Sequence, residues 1–557
     1  MEQFRLVLAV ILSTAILFGW QYFFASPTPN FKPVEISATI DNQINISPKR
    51  ERYIESIVKD LSEILKQDFE QSKRVRIFNE YVSGSINLQG ARLDDLILLK
   101  YKQDLNTKDK VVLLSPQNTQ KSYFAEFGWL SINNKFDLPN NKTIWKVDNT
   151  NSFNTVNLYW INDQGIKFTI KITLDDNYLF NINQGVENSS SEDIVVYPYA
   201  SVNRSYGQNE SNAMVHEGAI AVVDNQLTEY SFSDLKEESI EKKQQKGWIG
   251  FSDKYWLVSI LPDSNALFNA KLTGFSNKYQ AYILKNKITI SPGQSFNNII
   301  RLFAGAKNID LLHKYQNQYH IPLFDRAVDF GILYFITKPI FLLLNYFYSV
   351  VGNFGVAILI LTIFIKVLLF PLAYKGFINM NRLKVLQPQL VAIKERYSND
   401  TVAFQKAVME LYKKEKVNPM SGCLPLFLQM PVFFALYKVL SVTIEMRHAP
   451  FFWWLKDLSA PDPTTIFNLF GLLPWHAPSF LMIGVLPMLM AITMHMQQSL
   501  NPAPADPTQA RVMKYLPLIF LFVFASFPSG LVIYWTWSNI LSIIQQIVIK
   551  RLCLEKK

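Results

Sequence analysis

Cysteine is nearly absent from this chain: 557 residues hold two, Cys423 and Cys553, and none earlier. A disulfide framework is therefore excluded. Histidine is also sparse. The six (His216, His313, His320, His448, His476 and His495) are scattered singles without metal-ligand spacing, so they read as structural or surface residues and no metal or cofactor is indicated. The third shortage is local. Five apolar stretches, near 354–374, 422–441, 480–498, 512–527 and 530–549, contain no Asp or Glu, and no internal repeat relates them. Ion-coupled transporters tend to carry intramembrane acid relays and repeats, so that alternative is disfavoured. The region between residues 81 and 325 lacks paired acids or a Ser/His/Asp set above chance, which argues against an enzyme.

Mean hydropathy is only +0.07 although 49 % of residues are hydrophobic, which suits a large extramembrane part joined to several spans. Charge divides along the same line. From Arg326 onward there are 21 Lys and Arg against 10 Asp and Glu, and the first 325 residues carry 34 against 35, so the whole net charge of +10 arises in the apolar part. Nucleic-acid binding would gather basic residues among aromatics on a folded surface. Here they gather in loops between apolar runs, as in cytoplasmic loops of membrane proteins, and no direct nucleic-acid partner is expected.

These contrasts divide the chain. Residues 1–25 read as an uncleaved transmembrane anchor, because Leu6–Phe24 is apolar, ends in aromatics and lacks small residues at a cleavage site. Residues 26–80 read as a linker, in which Ile54, Val58, Leu61 and Leu65 fit either a short amphipathic helix or a solvated stretch. From 81 to 325 the signals are those of strands, with period-two alternation in Lys167–Leu174, and they predict a mostly antiparallel β-sandwich. Residues 326–350 suggest an amphipathic helix at the interface. Residues 351–550 hold the five spans, and 551–557 form a short basic tail. The segment 375–419 has nine Lys and Arg against four Asp and Glu, which makes it cytoplasmic. With the anchor this gives a polytopic α-helical membrane protein of six spans, both termini cytoplasmic, and a β-domain that in a bacterium lies in the periplasm.

Within 375–419, Leu390, Ile393 and Tyr397 share one face and Phe404, Val408 and Leu411 another, around the turn Ser398-Asn-Asp-Thr401. A helical hairpin is predicted. Its basic residues Lys394, Arg396, Lys413 and Lys414 suit either a docking surface or a charge that enforces topology.

Lys366 is the outlier. It stands inside the run Phe354–Leu372 with eleven uncharged residues, Gly355 to Ile365, on one side. An uncompensated cation near the bilayer centre costs roughly 2.5–3.5 kcal/mol on insertion scales. Thr362, one turn earlier, makes that face a polar stripe. Either the residue snorkels or it faces water or a polar ligand within the membrane.

The order and spacing of several short motifs carry a resemblance. Val351-Gly-Asn-Phe-Gly355, Leu386-Gln-Pro388, Glu415-Lys-Val-Asn-Pro419, Gly422-Cys-Leu-Pro425, Gln429-Met-Pro431, Asp457-Leu-Ser459, Phe527-Pro-Ser-Gly530 and Ser538-Asn539 resemble the YidC/Oxa/Alb family of membrane protein insertases. Gly84–Ala91 and Gly247-Trp248 extend the resemblance to the β-domain, over nearly the full length and in the family's Gram-negative bacterial form. The resemblance implies a five-helix insertase core with a polar groove open to the cytoplasm and to lipid. It makes Lys366 the groove's basic residue, with Thr362, Gln429, Tyr534 and Trp535 lining it. It further implies insertion and folding of nascent membrane proteins without nucleotide hydrolysis, alone or with the Sec translocon, weak ribosome contact through the cytoplasmic loop, and contact with membrane lipids. One departure is chemical: the bacterial pattern usually has Arg where this chain has Lys366, which keeps the charge and loses the planar fork. Residues 466–479 resemble an insertion without assigned role.

Overall fold

Side chains in Ile166–Leu174 alternate between buried and accessible along the strand, and that alternation repeats through two stacked antiparallel sheets. This computed structural model describes residues 65–66 and 71–555, apart from 72, 106, 133–134, 149–151, 206–214, 332, 398–399, 416, 418–423, 466, 468–482 and 502–506. The expected N-terminal anchor and most of the 466–479 insertion lie outside these residues.

The larger sheet has ten strands. It runs from Arg74–Phe78 at one edge to Ile240–Gln245 at the other, with Ile194–Ser205 between Tyr123–Leu130 and Lys278–Lys285. The second has nine strands, from Gln226–Ser231 to Lys146–Val147, with Ser295–Ala306 between Trp256–Pro262 and Leu179–Asn188. The predicted sandwich is present, and its first strand begins at Arg74, inside the stretch expected as linker. Trp129, Phe168, Phe180 and Phe251 fill the space between the sheets.

The Gly247-Trp248 motif has a structural reason. Gly247 sits at φ 132°, and a Cβ there would lie 1.8 Å from the Val222 carbonyl oxygen. That close approach delivers Trp248, whose Nε1 donates to the Pro322 carbonyl (2.9 Å) and whose ring meets Phe324 edge-on. The segment leading to the membrane helices is thereby pinned to the sandwich. Helix α1 (Phe232–Glu237) packs on the sheet edge, and α2 (Ile309–Tyr319) leads out of the sandwich.

The helical part comprises α3 (Tyr334–Val351), α4 (Phe354–Leu368), α5 (Phe370–Val385), α6 (Gln387–Arg396), α7 (Thr401–Lys414), α8 (Leu424–Val442), α9 (Val485–Leu500), α10 (Pro507–Phe524) and α11 (Ser529–Glu555). The run 354–374, expected as one span, is two helices bent by 66°. Pro371 explains the break, because it lacks an N–H and its ring clashes with the carbonyl four residues back. Lys366 consequently lies in the last turn of α4, beside the bend, rather than mid-helix.

Among the described residues, Tyr334–Val351 and Ser529–Arg551 are long and apolar enough to cross a membrane, and the bent pair makes up to three. The expected six spans are not reached by that criterion, and the helix expected at the interface is one of those that qualify. The helical hairpin is formed by α6 and α7, which pack on each other. Asp400 starts α7 by accepting from the N–H groups of Val402 (3.0 Å) and Ala403 (2.9 Å).

Candidate functional site

Lys366 Nζ donates to Ser542 Oγ of α11 at 2.7 Å. Two features favour a cation there. The C-terminal carbonyls of α4 present the negative end of the helix dipole, and the hydroxyl supplies an acceptor. One of the three ammonium donors is taken by Ser542, so others remain for an acceptor in the adjoining space. That space is a cavity of about 40 Å³ with Lys366, Gln429, Tyr534, Ser542 and Gln545 among its walls, room for a few water molecules. Apolar walls come from α4, α5 and α8, including Leu369, Phe377 and Val432. No carboxylate is among the described lining residues. The result is a small cationic chamber with hydroxyl and amide walls between otherwise apolar helices.

Of the residues singled out from sequence, Lys366, Gln429 and Tyr534 meet at this cavity. Thr362 and Trp535 do not line it. Thr362 is buried and its Oγ1 donates to the Ile358 carbonyl (2.6 Å), satisfying its hydroxyl within α4. Trp535 turns away into an aromatic cluster, 4.8 Å from the Phe433 ring centroid and 5.1 Å from that of Phe524. Sequence reasoning missed Ser542 and Gln545. A signal existed: Tyr534, Ser538 and Ser542 recur every four residues, which places polar groups on one helix face. On the neighbouring turn, Asn539 Nδ2 donates to Thr493 Oγ1 (3.2 Å) and ties α11 to α9. Lys394, Arg396, Lys413 and Lys414 are all exposed on the α6–α7 hairpin.

A second polar constellation joins the β-domain to the helices. Lys438 Nζ pairs with Asp329 Oδ2 (2.7 Å), and Asn308 Nδ2 donates to Glu445 Oε1 (2.9 Å). Arg447 donates to the Gln103 carbonyl (2.8 Å) and lies 5.4 Å from the Trp256 ring centroid. Burial pushes the Glu445 carboxyl up to about 7, with Asp310 adding to the effect. Burial also works to raise Asp329, but Lys438 and then Lys307 more than offset it, and the carboxyl stays below its usual range. Burial brings Lys307, whose Nζ donates to Ser252 Oγ (3.0 Å), down to about 8.

Comparison with known proteins covers both parts. The family described as "60Kd inner membrane protein" matches residues 346–556, and "YidC periplasmic domain" matches 74–343. A protein from Rickettsia felis called membrane protein insertase YidC is 49% identical, covering 98% of this chain and 99% of the relative. The protein of the same name from Rickettsia massiliae is 50% identical over the same shares. A solved structure, described as an active YidC insertase with the first transmembrane domain resolved, aligns with 85% of this chain and 92% of its own, at 18% identity and a TM-score of 0.36.

Proposed function

The chain belongs to the YidC family of membrane protein insertases, and we propose that it inserts its substrates through the cationic chamber at Lys366. Insertase function, not enzymatic turnover, follows from that membership, as does a bacterial inner-membrane location with the β-domain in the periplasm. The observation that carries the mechanism is the Lys366 ammonium held by Ser542 beside a polar cavity at the break between α4 and α5.

The physics of such a chamber is a reduced barrier. A hydrophilic terminus entering the bilayer loses its hydration, and a charge left uncompensated at the centre costs several kcal/mol. Water, amide groups and one fixed positive charge within the helices replace part of that hydration and favour acidic or polar segments. Burial of the new apolar helix in lipid then drives the transfer. Residues Gln429, Tyr534, Ser542 and Gln545 supply the polar walls. In this reading Thr362 supports the helix carrying Lys366, and Trp535 packs the helices behind the chamber.

We further propose the six-span topology with cytoplasmic termini, for which the loop charges are the support. The exposed cations Lys394, Arg396, Lys413 and Lys414 suit weak docking of a ribosome or emerging chain. Action with the Sec translocon is assigned by family resemblance. The ion-coupled transporter finds no support in the relatives or in the acid-free spans.

Insertion of a small Sec-independent test protein into proteoliposomes containing only this chain provides the test. At matched protein levels, Lys366→Ala should lower insertion at least several-fold and Lys366→Arg should retain it. Undiminished insertion by the alanine variant would remove the charge from the mechanism.

A further inference from the structure

The turn Phe451–Leu455 displays its aromatic side chains in an unusual way. Trp453 is 86% exposed and has a left-handed backbone, φ 55°. Phe452 beside it is 52% exposed. A bulky residue at positive φ is held in a strained backbone that a glycine there would avoid. A turn facing only water has no use for that strain or for the exposed indole.

The turn is nevertheless rigidly built. Phe451 N–H donates to the Leu455 carbonyl (2.9 Å), while Leu455 is buried. Trp453 stacks on Trp454, whose Nε1 donates to Asp462 Oδ1 (3.1 Å). Asp462 Oδ2 in turn accepts from the Leu486 N–H in the first turn of α9 (2.9 Å). The Phe451 ring lies against Gly355 at the start of α4, and Asn353 donates to the Phe451 carbonyl (3.4 Å). Nearby, the Leu458 and Ala460 carbonyls accept from Gly530 and Ser529 at the start of α11. One loop thus caps the starts of α9 and α11 and packs on that of α4, on the side of the bundle where Glu445 and Arg447 meet the β-domain. This fixes its level at the periplasmic ends of the helices.

Apolar exposure continues onto the end of α3 beside the turn and reappears on the far half of α4. Tyr346 and Val350 of α3 and Ile363, Phe364 and Val367 of α4 are all exposed. In a membrane protein such surfaces face acyl chains, and Trp is favoured where acyl chains meet headgroups. We propose that Phe451–Leu455 is a rigid aromatic anchor for the outer leaflet, with Phe452 and Trp453 seated at the acyl–headgroup boundary and lipid as the occupant. The anchor sets depth. Lys366 lies twelve positions after Phe354, so the cation is at most roughly 18 Å beneath the anchored level at a rise of about 1.5 Å per residue. In a hydrocarbon core about 30 Å thick, whose midplane lies about 15 Å down, that places the charge near the bilayer centre. This inference rests on the loop and the helix ends and holds whether or not Lys366 contacts substrate.

The test places a polarity-sensitive fluorophore at Trp453→Cys in full-length protein carrying Cys423→Ser and Cys553→Ser. The protein is reconstituted in phosphatidylethanolamine–phosphatidylglycerol vesicles. Nitroxide lipids labelled near the top of the acyl chain should quench the probe several-fold more than deep-chain nitroxides do, and aqueous iodide should quench it weakly. A probe at Phe275→Cys, 67% exposed on the β-domain, should show the reverse. Iodide quenching equal to that of the Phe275 site overturns the proposal, as does protection from iodide and nitroxide alike, which would mean a protein covers the turn. Should the labelled variant fail to fold, Trp453→Phe in the native chain gives the same reading. It should remove part of the tryptophan emission quenched by lipids brominated high on the acyl chain, and no change in that part rejects the anchor.

Discussion

At the scale of single residues, an ammonium among apolar helices needs a partner that does not neutralise it. Ser542 fits that need, because a hydroxyl orients the charge and leaves it intact, whereas a carboxylate would form a pair and offset it. Removing the hydroxyl leaves a buried donor short of an acceptor, a loss of about 1–3 kcal/mol. Ser542→Ala should therefore slow insertion several-fold in the proteoliposome assay, with Ser542→Thr close to the native rate. Equal rates for all three would reduce Ser542 to packing. Lys366 itself was legible in the sequence, since one charge in an acid-free apolar run stands out by composition alone. Its partner was not. Ser542 lies 176 positions away, and a serine in an apolar helix is unremarkable until the fold brings the cation to it.

At the scale of elements, the junction between α4 and the turn that follows α8 depends on one missing side chain. A Cβ on Gly355 would fall 2.0 Å from the Phe451 ring, a distance no rotamer adjustment of a few tenths of an ångström can relieve. Gly355→Ala should lower the thermal stability of the solubilised full-length protein, with a cost of about 1–3 kcal/mol as for other overpacked sites. Combining it with Phe451→Leu should recover part of the loss, and a fully additive double variant would mean the ring is not the obstacle. The Val351–Gly355 motif marked this place without giving its reason. A proline such as Pro371 can bend or cap a helix, and only the folded chain shows that it divides the run into α4 and α5.

At the scale of the whole molecule, two of the polar contacts that hold the β-domain to the helices contain a carboxyl group, and their pH responses oppose each other. Glu445 has its carboxyl raised by burial from 4.5 to about 7. The docked state then binds the proton more tightly than the undocked one, so docking is strongest below about pH 4.5 and weakens as pH rises toward 7. Asp329 is depressed, so the stability from its pair with Lys438 is present above the ordinary carboxyl range and is lost as pH falls below 3.8 and through the lowered value. Over pH 5 to 8 the Glu445 response dominates, with a loss of up to about 3 kcal/mol. Hydrogen exchange at the Leu311 N–H, which donates to Asn308 Oδ1 beside this contact, provides the measurement. After correction for intrinsic rates, protection should fall as pH rises from 5 to 7 and level off above, and Glu445→Gln should flatten the profile. A native profile already flat would show that the junction does not open through this contact.

The sequence by itself determined the division of the chain and the character of each part. Strand alternation, loop charge and acid-free apolar runs are local properties, and each element expresses them without reference to its distant neighbours. Composition alone therefore separated the β-sandwich, the basic hairpin and the membrane helices. The tertiary structure decided which polar residues meet. Thr362 satisfies its hydroxyl inside its own helix, and Trp535 joins the Phe433 and Phe524 rings. Gln429, Tyr534, Ser542 and Gln545 converge on Lys366 because helix rotation, the 66° break and long-range packing orient them together. The same is true of Trp453, one of several aromatics in a Phe- and Trp-rich loop. Its exposure follows from a turn conformation that contacts with the starts of three separate helices impose.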